Sequence, residues 1–421
     1  MKVKSPYGSR GQIAALVRGL EDVQGNKDGI PKNEHQPAGW TSKKGWANRQ
    51  AMLNRLTTAF EPGLSTADEE KRLADFVKAK EKAWGAKVTT LSKDAVPHFE
   101  AFRAEKAIAL ARFDRKPQEV TEGFVQAKGS VDGQPIEARD IFWQRWKPIG
   151  KPSGQVYVVS PGFQETGRNF YEQIQLLNQQ GHDVIVMDHQ WAGYSQGKKG
   201  GIDRGFGVAR DVAAVAAMAE QVAAKEYGRR PQQIVLFGNS MGGGPGAIGA
   251  WVLNAAGKIR LDGPQMPKDV SVIAQAPFLE MTGSVLNKSL GAVGKVPGVK
   301  DLPLPSAGVP VLTTDQAAAA KLAHHVALED ITARPQAMNA SAEDLATIQK
   351  LLDQGVRPDG RLYVIHGDAD PLANPKAAQA LVKKLGGQAK LALIPSKNHV
   401  LEESPTEQRH LLDAAKWLHG R

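Results

Sequence analysis

"IVLFGNSMGGGPGA", residues Ile234–Ala247, opens as four apolar residues and closes in small ones that can start a helix. Between them Gly238-Asn239-Ser240-Met241-Gly242 fits the pattern G-x-S-x-G. A serine at the centre of a tight strand-to-helix turn stands clear of the backbone, and the glycine two positions away on each side leaves room for that turn. The same geometry aims the next backbone N–H, that of Met241, at a developing oxyanion. A glycine-rich turn can equally hold an ordinary serine, so the pentapeptide needs partners. A serine hydroxyl is a weak nucleophile at neutral pH. It requires an imidazole to take its proton and a carboxylate to hold that imidazole in the right tautomer.

On either side of this stretch, short apolar runs alternate with helical patterns. "QVYVVSPG", "DVIVMDH", "VSVIAQAP", "RLYVIHGD" and "KLALIPS" read as strands. Helices are expected around 168–180, closed by Gly181, and over the Ala-rich segment 205–227. A last helix should start with Ser404 as N-cap and Pro405 at its first position, with Glu407 in its first turn and Gly420 beyond its end. Ahead of these, "EGFVQAKGSVDGQPIEARDIFWQRWKP" alternates in polarity about an Asp132-Gly133 turn, as a β-hairpin does. Short, wholly apolar strands alternating with helices indicate an α/β fold, a mostly parallel sheet covered on both faces.

In such sheets reactive groups gather just past the C-terminal ends of strands. Pro161-Gly162-Phe163-Gln164-Glu165 follows the first parallel strand, and Ser240 follows "IVLFG". Asp368 and Asp370 follow "RLYVIHG", and His399 follows "KLALIPSKN". Taken singly, an aspartate after a strand is ordinarily a turn or cap residue, and a histidine there an ordinary hydrogen-bonded loop residue. Serine, carboxylate and histidine in that chain order, each past a strand, is the order of an α/β-hydrolase triad.

These residues resemble those of the α/β-hydrolase superfamily, in the branch of monoacylglycerol lipases, lysophospholipases and serine-aminopeptidase-like hydrolases. The resemblance covers roughly residues 121–421 and rests on "SPGFQETGRNF", "VIVMDHQWAGYSQG", "GNSMGG", "HGDADPL" and "NHVLEE". It implies an α/β-hydrolase fold with a cap inserted at about 280–350, and Ser240, Asp370 and His399 as catalytic triad. The family's acid stands four residues after the first His of H-G-x-x-D, which selects Asp370 over Asp368. The backbone N–H groups of Phe163 and Met241 are the implied oxyanion hole. Neither metal nor cofactor is implied. Two positions depart from the family: Pro161-Gly162 stands where His-Gly is usual, and Asn239 where a histidine precedes the nucleophile. The implied substrate is a small-molecule carboxylic ester, lipid-like or monoacyl; peptide or amide hydrolysis and acyl transfer use the same triad. In the implied cap, Leu302, Leu304, Val309, Val311 and Leu312 could line an acyl groove or pack on one another, and His324 and His325 form no metal-ligand set. His189 and His366 read as structural strand-end residues.

The remaining composition bounds the answer. The chain has 421 residues, 23% charged and 41% hydrophobic, in the range of globular proteins. No run approaches 18 apolar residues, so no transmembrane helix is expected. The N-terminus has no continuous apolar stretch of the kind a signal peptide carries, which makes the expected location cytoplasmic. Cysteine is absent, which excludes disulfides, thiolate catalysis and Cys-ligated zinc. The net charge of +10 is concentrated in residues 1–120, where 22 Lys and Arg face 15 Asp and Glu. That N-terminal part lies outside the resemblance and reads as a helical accessory region, with apolar stripes carrying Trp46, Phe60, Phe76 and Trp84. Its charge allows peripheral contact with an anionic membrane surface. No basic stripe interleaved with aromatics points to nucleic acid. "NKDG" at residues 26–29 lacks the carboxylates of a calcium loop.

Overall fold

A hairpin begins the described fold. Strands β1 (Val120–Val131) and β2 (Gln134–Trp146) are joined by Asp132 and Gly133, with φ of 51° and 78°. Two successive positive φ angles make the turn whose twist matches that of paired strands, and Asp-Gly adopts it readily. The strands β3 (Gln155–Ser160), β4 (Asp183–Met187) and β5 (Gln233–Asn239) follow, then a three-residue β6 (Ile259–Leu261), β7 (Val270–Gln275), β8 (Leu362–Gly367) and β9 (Ala389–Ile394). All nine belong to one sheet in the order β6-β1-β2-β4-β3-β5-β7-β8-β9. The run β4-β3-β5-β7-β8-β9 is parallel throughout, while β2 meets β4 and β1 meets β6 antiparallel. The mostly parallel doubly wound sheet expected from the sequence is therefore present. β6, too short to carry a pattern of its own, was not expected.

The computed structural model of the chain describes residues 109–110, 113–163, 165–190, 192, 195, 206–280, 335–395, 397–399 and 405–420. The N-terminal helices expected before residue 109, the apolar positions from Leu302 to Leu312, His324, His325 and Ser404 lie outside them. Apart from the short stretch before Thr121, the described residues form a single compact unit.

Among the described residues five α-helices lie between strands and a sixth follows β9. They are α1 (Tyr171–Gln179), α2 (Gly207–Tyr227), α3 (Gly249–Ala255), α4 (Pro335–Asp353), α5 (Pro375–Leu385) and α6 (Pro405–Leu418). α1 stops where Gly181 takes a φ of 80°, and its N–H returns to the Asn178 carbonyl at 2.9 Å. The buried face of α2 is largely alanine and valine (Ala209, Val212, Ala213, Val215, Ala216), so the helix lies close against β3 and β5. α4 packs on α3 through Leu345, Ile348, Leu351 and Leu352, which join the same apolar core as Trp251 and Val272. Burying each such side chain contributes about 1.5–3 kcal/mol.

Two buried polar links hold the sheet's flanks. Arg145 on β2 grips Asp183 on β4 through Nη2 and Nε of its guanidinium, at 2.6 and 3.0 Å, and the Tyr227 hydroxyl at the end of α2 donates to the same carboxylate at 2.9 Å. Asp344 on α4 accepts the Phe206 N–H at 3.1 Å. Phe206 precedes α2 with a φ of 69° and has no cap from its own side chain, so Asp344 caps this helix from a distance.

Candidate active site

Because β3, β5, β8 and β9 run parallel, their C-terminal ends share one edge of the sheet, and the loops leaving them meet there. Ser240 follows β5 directly. Its φ is 49°, a left-handed conformation unusual for a residue with a β-carbon and worth about 1–3 kcal/mol of strain. The turn closes tightly on both sides. A β-carbon at Gly238 would collide with the Gly242 carbonyl, and one at Gly242 with the carbonyls of Ser160 and Pro161. Only glycine fits either place, which is the physical content of the G-x-S-x-G spacing. The Ser240 carbonyl is held by the Phe278 N–H at 2.9 Å. Met241 then begins a wide helical turn, Gly242–Ile248, that runs into α3. The Met241 N–H thus lies at the start of a helical segment, where backbone donors point outward.

Ser240 and His399, 159 positions apart, and Asp370 come together in one hydrogen-bonded chain. His399 Nε2 stands 2.7 Å from Ser240 Oγ, and His399 Nδ1 stands 2.8 Å from Asp370 Oδ2. Asp370 is buried, whereas Asp368 is exposed, with its N–H donated to the Ile394 carbonyl at the end of β9. Burial alone would raise the Asp370 pKa. Hydrogen bonds from His366 and His399, the charge the latter can carry and the Leu372 N–H outweigh it, so the carboxyl lies far below the usual carboxylate range. Its second oxygen, Oδ1, accepts the N–H groups of Leu372 and Ala373 at 2.8 and 2.9 Å. An anion so fully hydrogen-bonded is fixed in place and keeps its charge.

His366 takes part where the sequence suggested only a strand-end role. Its Nε2 lies 3.1 Å from Asp370 Oδ2 and 3.2 Å from the Ala373 carbonyl. Both partners are acceptors, so this nitrogen carries the proton. The signal was present in the motif, since His366 and Asp370 stand four positions apart at the two ends of "HGDAD". His189 differs. It is fully buried, 2.9 Å from Ser160 Oγ, and burial pushes its pKa down to about 3 despite a hydrogen bond to the Pro161 carbonyl. It stays neutral behind the loop that follows β3.

That loop brings Gly162 against Ser240, close enough that a β-carbon on Gly162 would lie 3.1 Å from Ser240 Cβ. Phe163 follows immediately, and its side chain joins Ala192, Val208, Met241 and Ala340 in a small apolar cluster. Two described residues of "DHQWAGYSQG", Asp188 and Ser195, tie this region to its neighbours. Ser195 Oγ donates to the Asp188 carbonyl at 2.5 Å and accepts the Phe142 N–H at 2.8 Å, while the Asp188 carboxylate accepts the Gly167 N–H at 2.9 Å. Among the described residues no three His, Asp or Glu side chains gather as a metal site.

A serine hydroxyl, imidazole and carboxylate in line can deprotonate the serine during attack on a carbonyl and return the proton to a leaving group. Comparison with known families finds a match to Hydrolase_4, described as serine aminopeptidase, S33, over residues 150–405. The chain belongs to the Hydrolase_4 family. As a member it is a serine hydrolase of the α/β-hydrolase fold, and solved structures share that fold. A soluble variant of monoglyceride lipase from Saccharomyces cerevisiae, bound to a substrate analogue, is 15% identical over 69% of this chain and 96% of its own, with a TM-score of 0.55. A lipase in open form is 15% identical over 71% and 99%, with a TM-score of 0.51. A thermostable carboxyl esterase from Bacillus coagulans, bound to glycerol, is 19% identical over 72% and 98%, with a TM-score of 0.50. Comparison with curated proteins finds no match. Among the described residues of this Hydrolase_4 member, no helix is long and apolar enough to cross a membrane.

Proposed function

We propose that the chain hydrolyses carboxylic esters of the lipid-like or monoacyl kind through an acyl-Ser240 intermediate. The observation that carries this reading is His399 bridging Ser240 and Asp370 at 2.7 and 2.8 Å. His399 Nε2 takes the Ser240 proton as Oγ attacks the ester carbonyl, and the ionised Asp370 stabilises the resulting imidazolium. The backbone N–H groups of Phe163 and Met241 hold the oxyanion of the tetrahedral intermediate. Collapse breaks the bond to the alcohol oxygen, which receives the proton from His399. Water then attacks the acyl-enzyme with His399 again as base, and the acid leaves.

The partly buried Phe163 side chain, packed on the buried Ala192, Val208, Met241 and Ala340, offers an apolar neighbour to an acyl substituent beside the reacting carbonyl. Burial of a hydrocarbon there favours binding by about 0.8 kcal/mol per methylene. A second reading, cleavage of an amide bond, takes its support from the serine aminopeptidase description of the family. The chemistry differs only in the leaving group, which must be protonated earlier for an amine than for an alkoxide. A series of p-nitrophenyl esters from acetate to laurate, run beside aminoacyl p-nitroanilides, separates the two. Ester turnover with kcat/KM rising along the acyl series is the expected result. Anilide turnover that exceeds ester turnover would overturn the ester assignment.

A further inference from the structure

Glu165 lies in the loop after β3, buried, and its carboxylate touches both sides of the site. Oε2 accepts the Gly162 N–H at 2.6 Å and the Asn239 side-chain amide at 2.9 Å, and Oε1 accepts the same amide at 3.1 Å. The Glu165 N–H returns to the Gly162 carbonyl at 3.2 Å, closing a tight turn. Gly162 is the residue before Phe163, and Asn239 is the residue before Ser240. We propose that Glu165 and Asn239 form a clamp that sets the oxyanion loop against the nucleophile, and that both are positioning residues for the reaction. The proposal rests on the reading of Ser240 as nucleophile.

Three features carry it. A carboxylate this deeply buried is expensive to keep unless donors surround it, and among the described residues no Lys or Arg is paired with it. Its donors are instead one N–H from the oxyanion loop and one amide from the elbow, so its hydrogen bonds join these two elements and little else. Secondly, the Gly162 N–H is taken up by Glu165. The loop's donor to the oxyanion then falls one residue on, at Phe163, and the clamp fixes the peptide that precedes it. Thirdly, the two elements touch with no slack. A β-carbon on Gly162 would stand 2.6 Å from Glu165 Oε2 and 3.1 Å from Ser240 Cβ. A displacement of the loop is therefore passed to the geometry between the Phe163 N–H and the Ser240 adduct.

The carboxylate is suited to this task where an amide is not. Both partners of Glu165 are donors, and an ionised carboxylate offers only acceptors. A glutamine in its place would set an NH2 group against the NH2 group of Asn239 or against the Gly162 N–H. The loop would move or tilt, and an oxyanion donor outside its range of about 2.7–3.1 Å loses most of its effect, which is about 10²–10³ in kcat for a whole donor.

The test is Glu165→Gln in the full chain, assayed with p-nitrophenyl esters and with a trifluoromethyl ketone, whose hydrate anion mimics the tetrahedral intermediate. The clamp requires kcat to fall by about 10²-fold with KM within about twofold, and affinity for the ketone to fall in parallel. A residue that only supported the fold would lower the melting temperature and the fraction of active protein, leaving kcat per active site and ketone affinity unchanged. If Glu165→Gln does not fold, two further variants keep the question open to measurement. In the double variant Glu165→Gln with Asn239→Asp, the introduced amide can donate to the introduced carboxylate while its oxygen accepts the Gly162 N–H, so kcat should recover at least tenfold over the better single variant. In Asn239→Asp alone, two carboxylates face each other and regain their hydrogen bond only when they share a proton. Its kcat relative to the unaltered protein should therefore rise as pH falls. No recovery in the double variant, or a flat ratio with pH, overturns the clamp. Covalent labelling of the unaltered protein by a fluorophosphonate at a residue other than Ser240 would instead bring down the nucleophile assignment, so the two failures are distinguishable.

Discussion

His366 and His399 both reach one oxygen of Asp370, but the shorter contact, 2.8 Å, belongs to His399, and His366 stands behind it at 3.1 Å. The carboxylate is thus oriented from the protein interior before it orients the imidazole that faces Ser240. Replacing His366 by Leu removes one donor and leaves the Leu372 and Ala373 N–H groups on Oδ1. We expect kcat to fall by about tenfold and stability at neutral pH by about 1.5–3 kcal/mol, the range for a hydrogen bond to a charged group. Steady-state kinetics and denaturant unfolding at pH 7 check both. Unchanged stability would mean that His366 does not hold the carboxylate.

Asp370 and Asp368 are two residues apart and should behave oppositely. Asp370→Asn presents an amide to His399 Nδ1 and favours the wrong tautomer, so kcat should drop by about 10³–10⁴. Asp368→Asn changes an exposed side chain and should stay within about twofold. The depressed pKa of Asp370 also contributes to stability. For a carboxyl lowered on folding, that contribution is present above the unfolded value near 3.8 and is lost as pH falls toward the folded one. Acid unfolding of Asp370→Asn should therefore be less steep below about pH 4.

Much of this could be read from the residues alone. Strands β3, β4, β7 and β8 are buried along their whole length and β5 in all but its first residue, so each shows a short, mainly apolar run in the sequence. That Ser240, Asp370 and His399 meet was legible because each follows a strand, and a parallel sheet brings those ends together. Glu165 and Asn239 were not legible as a pair. They are 74 residues apart, and nothing local shows that a loop carboxylate and a strand-end amide will meet. The remote cap on α2 was hidden for the same reason. Asp344 lies 138 residues from Phe206, and only the packing of α4 joins them.

Asp344 supplies a pH prediction of the opposite sign to Asp370. Burial raises its pKa to about 7, with the Phe206 N–H working against the rise and the Glu343 charge adding to it. A carboxyl whose folded pKa exceeds its unfolded value destabilises the fold when ionised. The penalty is absent below about pH 4 and complete above about pH 7. Asn keeps an acceptor for the Phe206 N–H and carries no charge. Asp344→Asn should therefore raise the melting temperature at pH 8 by several degrees and leave it nearly unchanged at pH 4. Equal shifts at both pH values would show that ionisation is not the cause.

The central claim is that Ser240 is the nucleophile activated by His399, and covalent labelling tests it most directly. The full-length protein is treated with a fluorophosphonate at neutral pH, digested, and the modified peptide sequenced by mass spectrometry, with Ser240→Ala treated in parallel. Loss of the hydroxyl adds no bulk to the elbow, so the variant should fold with an unchanged circular dichroism spectrum. The account predicts a single phosphonylated site, Ser240, and no labelling of the variant. A folded Ser240→Ala protein that still takes the label would contradict it.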